Sequence, residues 1–181
     1  MQTIIITLNN GKKEEYVKGI KVKEILNKMS KEEREDAILI KYNNKKVDLE
    51  TELKKNGTLQ IYDINTLEGN RIYERGLLYL FIYVTNNVLG KDTKVIVKHS
   101  IDKGIFCKIE DKDVLEIKKQ MKEIVSKNIP FTKMDTTKYE AIEYFKSIKR
   151  EDKAKTLFYD TSKYVSLYKL DENYNYIVGD L

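Results

Sequence analysis

The sequence predicts an α+β fold in two parts, a small strand-rich part followed by a larger part built around one long helix. Three observations support this prediction. Residues 2–63 alternate short apolar runs with Asn-Gly and Asn-Asn turns. Residues 77–84, LLYLFIYV, are eight consecutive apolar or aromatic residues in a chain in which 35% of residues are charged. Residues 93–181 then mix strand patterns with helices whose apolar residues recur at helical spacing.

The first part has a regular order of short elements. The turn Asn9-Asn10-Gly11 joins two predicted strands, because Asn and Gly tolerate positive φ. Apolar residues at helical spacing from Val22 to Met29 predict a short amphipathic helix. This succession is typical of the ubiquitin-like β-grasp fold. The other predicted elements are strands at 2–8, 13–18, 37–42, 46–47 and 58–63, a charged loop at 31–36 and a helical turn at 49–55.

A long helix is predicted over residues 70–89, at the centre of the larger part. Its apolar run is far shorter than the ~20 residues that span a bilayer, so we predict no membrane segment. A helix that is apolar on all sides is instead expected to be buried. The polar segment 64–69 is the predicted linker, and it divides the chain into domains at 1–63 and 70–181.

The larger part is predicted to form an antiparallel sheet with helices packed on one side. Asp102-Lys103-Gly104 is the predicted turn of a hairpin. Asp111 or Asp113 is predicted to cap one helix, and Asp113 with Glu116 has capping-box spacing. Thr136 or Thr137 is predicted to cap the next helix. The predicted strands lie at 93–99, 105–110, 131–135, 163–169 and 174–178, and the helices at 114–128, 138–148 and 150–158.

Two of these helices have apolar residues at helical spacing, which are predicted to face the core. In the first helix the stripe is Val114, Ile117, Met121, Ile124, Val125 and Asn128, and in the second it is Tyr139, Ile142, Tyr144 or Phe145, and Ile148.

The composition is typical of a globular protein from a reducing compartment. Hydrophobic residues make up 41% of the chain, and one Pro and eight Gly argue against long disordered linkers. A single cysteine, Cys107, excludes an internal disulfide. The start of the chain lacks the basic segment of a signal peptide, so a cytoplasmic location is predicted.

The formal charge is 34 − 29 = +5, and the isoelectric point is near 9.0. This charge suits a polyanionic partner such as RNA or nucleotide phosphates. The alternative, which we favour from composition alone, is that scattered lysines only solvate the surface, because specific phosphate recognition prefers clustered arginine.

Known catalytic motifs are absent from the sequence. Neither G-x-x-x-x-G-K-[ST] nor G-x-G-x-x-G occurs, and the one histidine, His99, excludes a multi-histidine zinc site. His99 and Cys107 flank the predicted hairpin turn. They are either a base and a nucleophile that face each other or, as we favour, a buried thiol and a hydrogen-bonded imidazole. We therefore predict no catalytic residue and no metal site.

Taken in order, these segments resemble the N-terminal half of threonyl-tRNA synthetase. Residues 1–63 resemble its TGS domain, and residues 70–181 resemble its second additional domain, which in that family hydrolyses mischarged tRNA. The resemblance rests on VIVKHSIDKGIFC at 95–107, EDKDVLEIKKQMKEIVSKN at 110–128 and KYEAIEYFKS at 138–147. It implies a TGS-type β-grasp domain followed by an α+β domain like the editing domain of that enzyme.

The residues that would carry the editing chemistry do not recur. Where that family has H-S-x-x-H on the central helix, this chain has Arg75 and Tyr79. Where the family has C-x-G-x-H, this chain has Ile177 and Leu181. Arg stays protonated, Tyr is a poor ligand near neutral pH, and Ile and Leu have no donor atom, so we predict that zinc binding and ester hydrolysis are lost. The residues predicted to surround any remaining ligand-binding cleft are Arg75, Tyr79, His99 and Cys107.

Arg75 has an alternative interpretation, which we favour. An arginine inside an apolar helix needs a carboxylate partner or a path to solvent, and Glu68 or Glu74 is a candidate partner.

The segments IYERGLLYLFIY and KVIVKHSIDKGIFCKI also resemble bacterial nucleoside kinases of the uridine kinase type. Those proteins carry TGS and synthetase-like domains ahead of a P-loop kinase domain, and IYERGLL and KHS-x-x-KG recur in them. The resemblance implies that this chain stops before the kinase domain. That missing domain would use ATP and Mg²⁺ to phosphorylate a nucleoside.

We compare three functions. The first, favoured on this resemblance, is the binding or regulatory region of a uridine kinase-type nucleoside kinase, with its own C-terminal kinase domain as partner, a nucleotide or RNA as possible ligand and no cofactor of its own. The alternative is a stand-alone tRNA- or RNA-binding module related to threonyl-tRNA synthetase, with editing lost. The third, a metal-dependent deacylase, is contradicted by the missing ligands.

Overall fold

The computed structural model describes residues 2–35, 37–90, 93–101, 104–109, 113–179 and 181. The chain forms two compact units, Met1–Glu74 and Arg75–Leu181, and the predicted α+β fold is confirmed. The predicted domain bounds and the linker at 64–69 stay predictions. The following predicted features lie outside the described residues: Lys91 and Asp92 after the long helix, Asp102 and Lys103 in the hairpin turn, and Glu110 and Asp111 before the next helix.

The N-terminal unit consists of short strands and helices, namely β1 Thr3–Thr7, β2 Lys13–Val17, β3 Ile20–Lys21, α1 Val22–Leu26, α2 Lys31–Glu35, β4 Leu39–Tyr42, β5 Lys45–Lys46, β6 Glu52–Leu53 and β7 Gly57–Tyr62. Five strands form one sheet in the order β2-β1-β7-β4-β5. Within this sheet β1 and β7 are parallel, and the other neighbours are antiparallel. This mixed sheet is the arrangement expected of a β-grasp fold.

The core of this unit lies between the sheet and α1. Val22 and Ile25 of α1 are fully buried, as are Ile6 of β1 and Leu59 of β7. Side chains alternate along a strand, so one face of β1 meets the helix while Ile5 on the other face is 47% exposed. The apolar spacing that predicts α1 therefore also predicts the face it buries.

Three elements of the N-terminal unit differ from the prediction, and one of them, β3, lies at residues for which no element was predicted. α2 replaces the charged loop predicted at 31–36, because Lys, Glu and Arg are good helix formers. β6 replaces the helical turn predicted at 49–55. Its Leu53 is 1% exposed and pairs with Ile20 of β3, so burial in the core outweighs local helix propensity.

The remaining elements are α3 Leu67–Leu89, β8 Ile96–Ile101, β9 Gly104–Lys108, α4 Val114–Ser126, β10 Thr132–Thr137, α5 Lys138–Ser147, α6 Glu151–Phe158, β11 Tyr164–Leu170 and β12 Asn173–Tyr176. β8 and β9 form an antiparallel hairpin, and β10, β11 and β12 form an antiparallel sheet with β11 in the centre.

Helices cover both faces of the three-stranded sheet, so the prediction of helices on one side is wrong. Val165 and Leu167 of β11 pack in one core with residues of α5 and α6. Tyr168 and Leu170, which point to the opposite face, pack in another core with residues of α3 and α4. The strand predicted to be half-buried is a central strand buried on both sides.

The long helix α3 begins at Leu67, before the predicted start at residue 70. Thr66 Oγ1 accepts a hydrogen bond from the backbone N–H of Gly69 at 3.1 Å, which is the geometry of an N-terminal cap. The division between the two units falls inside this helix, after Glu74. Burial on all sides is not confirmed, because Leu77 is 41% exposed while Tyr79, Leu80 and Val84 are buried.

The caps and faces of the later helices are partly as predicted. Thr137 caps α5 and forms a reciprocal capping box with Glu140. Asp113 precedes α4, but its side chain makes no capping hydrogen bond, so the capping box predicted there is wrong. Several residues predicted to face the core are exposed instead, namely Val114 (57%), Val125 (65%), Asn128, Tyr139 (73%) and Ile148 (42%).

Candidate functional site

Tyr79 lies in the core of the C-terminal unit and is 2% exposed. Its hydroxyl lies 2.9 Å from the carbonyl oxygen of Tyr168 and 2.8 Å from that of Asn173, so its one proton is shared between two acceptors. Burial raises the pKa of this phenol above its usual value. Its ring also packs against Phe131, with centroids 5.5 Å apart. Tyr79 therefore ties α3 to the β11–β12 hairpin as a neutral hydrogen-bond donor.

Arg75 lies one helical turn before Tyr79, with its guanidinium directly against the backbone of Gly179. A β-carbon at Gly179 would lie 2.9 Å from Arg75 Nη1. Gly179 has φ +100°, a conformation that only glycine adopts without strain. The structure thus places the Arg75 side chain against the C-terminal segment. The ion pair of Arg75 with Glu68 or Glu74 stays a prediction.

The C-terminal segment packs on the same core as Tyr79. Ile177 and Leu181 pack against the cluster that contains Tyr79 and Tyr168, and the Tyr168 hydroxyl donates a long hydrogen bond of 3.4 Å to the carbonyl of Gly179. The four positions that were compared with the editing site of threonyl-tRNA synthetase, namely Arg75, Tyr79, Ile177 and Leu181, therefore lie close together in the C-terminal unit. Their side chains supply a guanidinium, a phenol and two alkyl groups.

These side chains do not fit a zinc ion. Arginine has no acceptor, and isoleucine and leucine have no ligand atom. The Tyr79 hydroxyl already donates to two carbonyl oxygens, and its raised pKa disfavours the phenolate that would bind a metal. Within the part of the chain that the structure describes, no group of three or more His, Cys, Asp or Glu could hold a metal ion.

His99 and Cys107 lie on the β8–β9 hairpin but are not cross-strand partners. His99 lies opposite Phe106, and Cys107 lies opposite Val97, with a shift of register between Val97 and His99. Successive residues of a strand point to opposite faces, so Phe106 and Cys107 are on different sides of the hairpin. Burial raises the pKa of the Cys107 thiol, which opposes thiolate formation. This arrangement supports neither a nucleophile nor a base.

Of the four residues predicted to surround a cleft, Arg75 and Tyr79 both lie on α3. Arg75 lies against Gly179, and Tyr79 donates to the carbonyl of Asn173. The contacts of His99 and Cys107 just described are with residues of their own hairpin.

The β8–β9 hairpin and the residues just before it combine an aromatic pair with exposed lysines. The rings of His99 and Phe106 stack at 5.3 Å between centroids and 20° between planes, and Phe106 is 54% exposed. Lys94, Lys98 and Lys108 of the same segment are exposed as well. Phe106 was not among the residues predicted from the sequence. It could have been found from the hairpin register, because pairing Ile101 with Gly104 places His99 opposite Phe106.

An apolar groove of about 440 Å³ lies between α3 and α4. Leu77, Leu80 and Phe81 line one side, and Ile117 and Met121 line the other. The groove accounts for the partial exposure of Leu77. Its lining is mainly hydrocarbon, and Lys118, Lys122 and Ser126 are its polar side chains.

Comparisons with known proteins found a family match for the first part of the chain and similar proteins for most of its length. Residues 4–63 match the TGS domain family. The chain is 28% identical over 152 residues to the threonine–tRNA ligase of Caldanaerobacter subterraneus subsp. tengcongensis, which covers 81% of this chain and 23% of that protein. It is 32% identical over 152 residues to the ligase of Staphylococcus carnosus, with the same coverage.

A third threonine–tRNA ligase, from Chloroherpeton thalassium, is 29% identical over 181 residues, which covers 94% of this chain and 27% of the relative. The chain therefore spans about a quarter of the length of the curated relatives it matches. These comparisons give no support to the nucleoside kinase hypothesis and favour the alternative, a tRNA-related module. No described helix is both long enough and apolar enough to cross a membrane. The chain thus contains a TGS domain and is homologous to the N-terminal region of threonyl-tRNA synthetases.

Proposed function

We propose that this chain is an RNA-binding module that contacts tRNA and has lost the ester-hydrolysing chemistry of the synthetase editing domain. The observation that carries the proposal is the similarity to threonine–tRNA ligases over 79–94% of this chain, which includes both units. The relatives are named for a reaction on tRNA, so tRNA is the first ligand to test.

The charge of the chain supports a polyanionic ligand. The net charge is +5 and the isoelectric point is near 9.0. Together with the homology, this charge gives RNA binding more weight than composition alone did. A basic surface attracts the phosphate backbone and speeds association without sequence specificity.

The chemistry at Arg75 and Tyr79 supports the loss of hydrolysis. Hydrolysis of an ester needs an activated water or another nucleophile and a base that receives its proton. The Tyr79 hydroxyl is buried and committed to two carbonyl oxygens, and the Arg75 guanidinium cannot accept a proton. Neither group can act as the base.

Fluorescence polarisation with labelled tRNA tests the binding part of the proposal. At about 50 mM salt we expect saturable binding with a Kd in the micromolar range, because nonspecific electrostatic binding is ~10⁻⁴–10⁻⁶ M at physiological salt and tightens as salt falls. An acidic protein of similar size serves as the control. No detectable binding of tRNA at this salt concentration would reject the function.

Incubation with mischarged tRNA tests the loss of chemistry. We expect amino acid release at the rate of the buffer control, with and without added zinc. Zinc-dependent release above that rate would show that another set of side chains supports hydrolysis and would contradict the proposal.

A further inference from the structure

The exposed aromatic face of the β8–β9 hairpin is the feature that the proposed function leaves unexplained. We call it the hairpin platform and define it by the stacked rings of His99 and Phe106 and the exposed side chains of Lys94, Lys98 and Lys108. The hydrophobic cores of the C-terminal unit contain neither ring.

The two rings of the hairpin platform stack on each other. Their planes differ by 20°, and the centroids are 5.3 Å apart, so the pair presents nearly parallel π-faces. Phe106 keeps 54% of its surface exposed, and His99 is exposed beside it. A cross-strand aromatic pair contributes to hairpin stability, but a buried pair would do so without leaving an apolar ring in water.

The charge around the rings has one dominant sign. Residues 93–109 contain four lysines and one aspartate, a net charge of 4 − 1 = +3. Lys98 and Lys108 lie on the two strands that carry the rings, and both are exposed. By comparison, the exposed ring of Tyr139 on α5 lies in sequence between Lys138 and Glu140, whose charges are of opposite sign. The hairpin platform thus combines an exposed aromatic pair with exposed lysines on both of its strands.

We propose that the hairpin platform binds unpaired nucleotides of RNA, with a base stacked on Phe106 and its phosphates near Lys98 and Lys108. The proposal deepens and rests on the proposed RNA-binding function. Proteins that bind single strands combine a positively charged surface with exposed aromatic rings, because every base has a π-face and every nucleotide carries a phosphate. A duplex hides its bases from such a platform, so the occupant is a single-stranded segment.

The absence of tryptophan from the chain permits a direct spectroscopic test. Phe106→Trp places the only tryptophan on the hairpin platform, and Tyr139→Trp places it on another exposed site. Each variant is titrated with an unstructured RNA of about 12 nucleotides, a length within the usual range of single-strand sites. We expect base stacking to quench the fluorescence of Phe106→Trp and to leave that of Tyr139→Trp nearly unchanged. Equal quenching of both variants would contradict the platform.

Phe106→Ala gives the energetic test. We expect its affinity for the same RNA to fall about five- to 150-fold, the usual range for loss of one base–aromatic stack, while Tyr139→Ala binds as the wild type does. Heparin, a polyanion without bases, should bind Phe106→Ala and wild type equally well. An equal loss of heparin affinity would show that stacking is not the cause and would overturn the proposal.

The outcomes separate the platform from the proposed function. If wild type and Phe106→Ala bind RNA equally well, the platform is wrong and the RNA-binding function stands. If the wild type binds neither tRNA nor the single strand, the proposed function fails and the platform fails with it.

Discussion

The resemblance to threonyl-tRNA synthetase aligns Tyr79 with a metal-binding histidine of the editing domain. In this chain the Tyr79 hydroxyl instead joins α3 to the β11–β12 hairpin. The hydroxyl donates to the buried carbonyl oxygen of Tyr168 and to the partly buried one of Asn173. A buried acceptor that loses its donor costs more free energy than an exposed one, because water cannot replace the donor. The residue therefore has a structural role at a position where the sequence had suggested a ligand cleft.

Tyr79→Phe is expected to lower the free energy of unfolding by about 1–2 kcal/mol, because the buried carbonyl oxygen of Tyr168 and the partly buried one of Asn173 lose their donor. Tyr83→Phe is the matched control one turn further along α3. Its hydroxyl donates to Asp171 in an exposed hydrogen bond, and its loss should cost less than about 0.5 kcal/mol. Urea unfolding measures both. Equal costs for the two variants would argue against the buried role of Tyr79.

The raised pKa of Tyr79 also predicts a pH dependence. In the unfolded chain a tyrosine ionises near pH 10, whereas in the folded chain burial holds the Tyr79 phenol in its neutral form to higher pH. The stability from this group is therefore fully present below pH 10 and decreases as pH rises toward the folded pKa. The difference in unfolding free energy between wild type and Tyr79→Phe should shrink above pH 10. A difference that is constant from pH 8 to pH 11 would contradict this assignment.

At the scale of elements, the starts of α4 and α5 allow a matched comparison. Thr137 caps α5, and Glu140 accepts hydrogen bonds from the Thr137 backbone N–H and hydroxyl. Asp113 precedes α4 without a capping hydrogen bond from its side chain. Both positions follow a sequence pattern typical of a cap, but only one side chain reaches its partner.

Thr137→Ala is expected to lower the free energy of unfolding by about 1 kcal/mol, as is usual for the loss of an N-terminal cap. Asp113→Ala should cost clearly less, because no capping hydrogen bond is lost. Thermal or urea unfolding of the two variants checks this difference. A larger cost for Asp113→Ala would show that α4 depends on its cap more than α5 does.

Elements with strong local patterns could be predicted from the sequence. The β1–β2 hairpin, α1, α3 and α4 follow from turn residues and apolar spacing. β6 could not, because Glu52–Leu53 is a strand only through its pairing with a distant one, Ile20–Lys21. Burial of β11 on both faces also depends on long-range packing, since a pattern along one strand does not show that helices cover each side.

The candidate site was predicted only in part, for the same reason. The meeting of α3 with the C-terminal segment followed from the family resemblance, and the structure places Arg75 against Gly179. The pairing of His99 with Phe106 follows from the register set by the Ile101–Gly104 pair, and the irregularity after Val97 shifts only the pairs farther from the turn. A one-residue shift of register moves a side chain to the other face, so the suggested pairing of His99 with Cys107 was wrong.

At the scale of the whole molecule, the chain consists of two compact units, matches the TGS domain family at residues 4–63 and carries a net positive charge. The net charge of +5 acts over about 10 Å at moderate salt, so binding of a polyanion should weaken as salt rises. This dependence distinguishes phosphate binding from apolar docking, which salt does not weaken.

The most direct test of the central claim, that this module binds RNA through its phosphates, is the slope of log affinity for tRNA against log salt concentration. If the protein contacts three phosphates, we expect a slope of about −2 to −3, because each neutralised phosphate releases condensed counterions. The double variant Lys98→Gln, Lys108→Gln should bind more weakly, with a slope smaller in magnitude by about 1.5–2. A slope near zero for the wild type, or no binding at any salt concentration, would contradict the account.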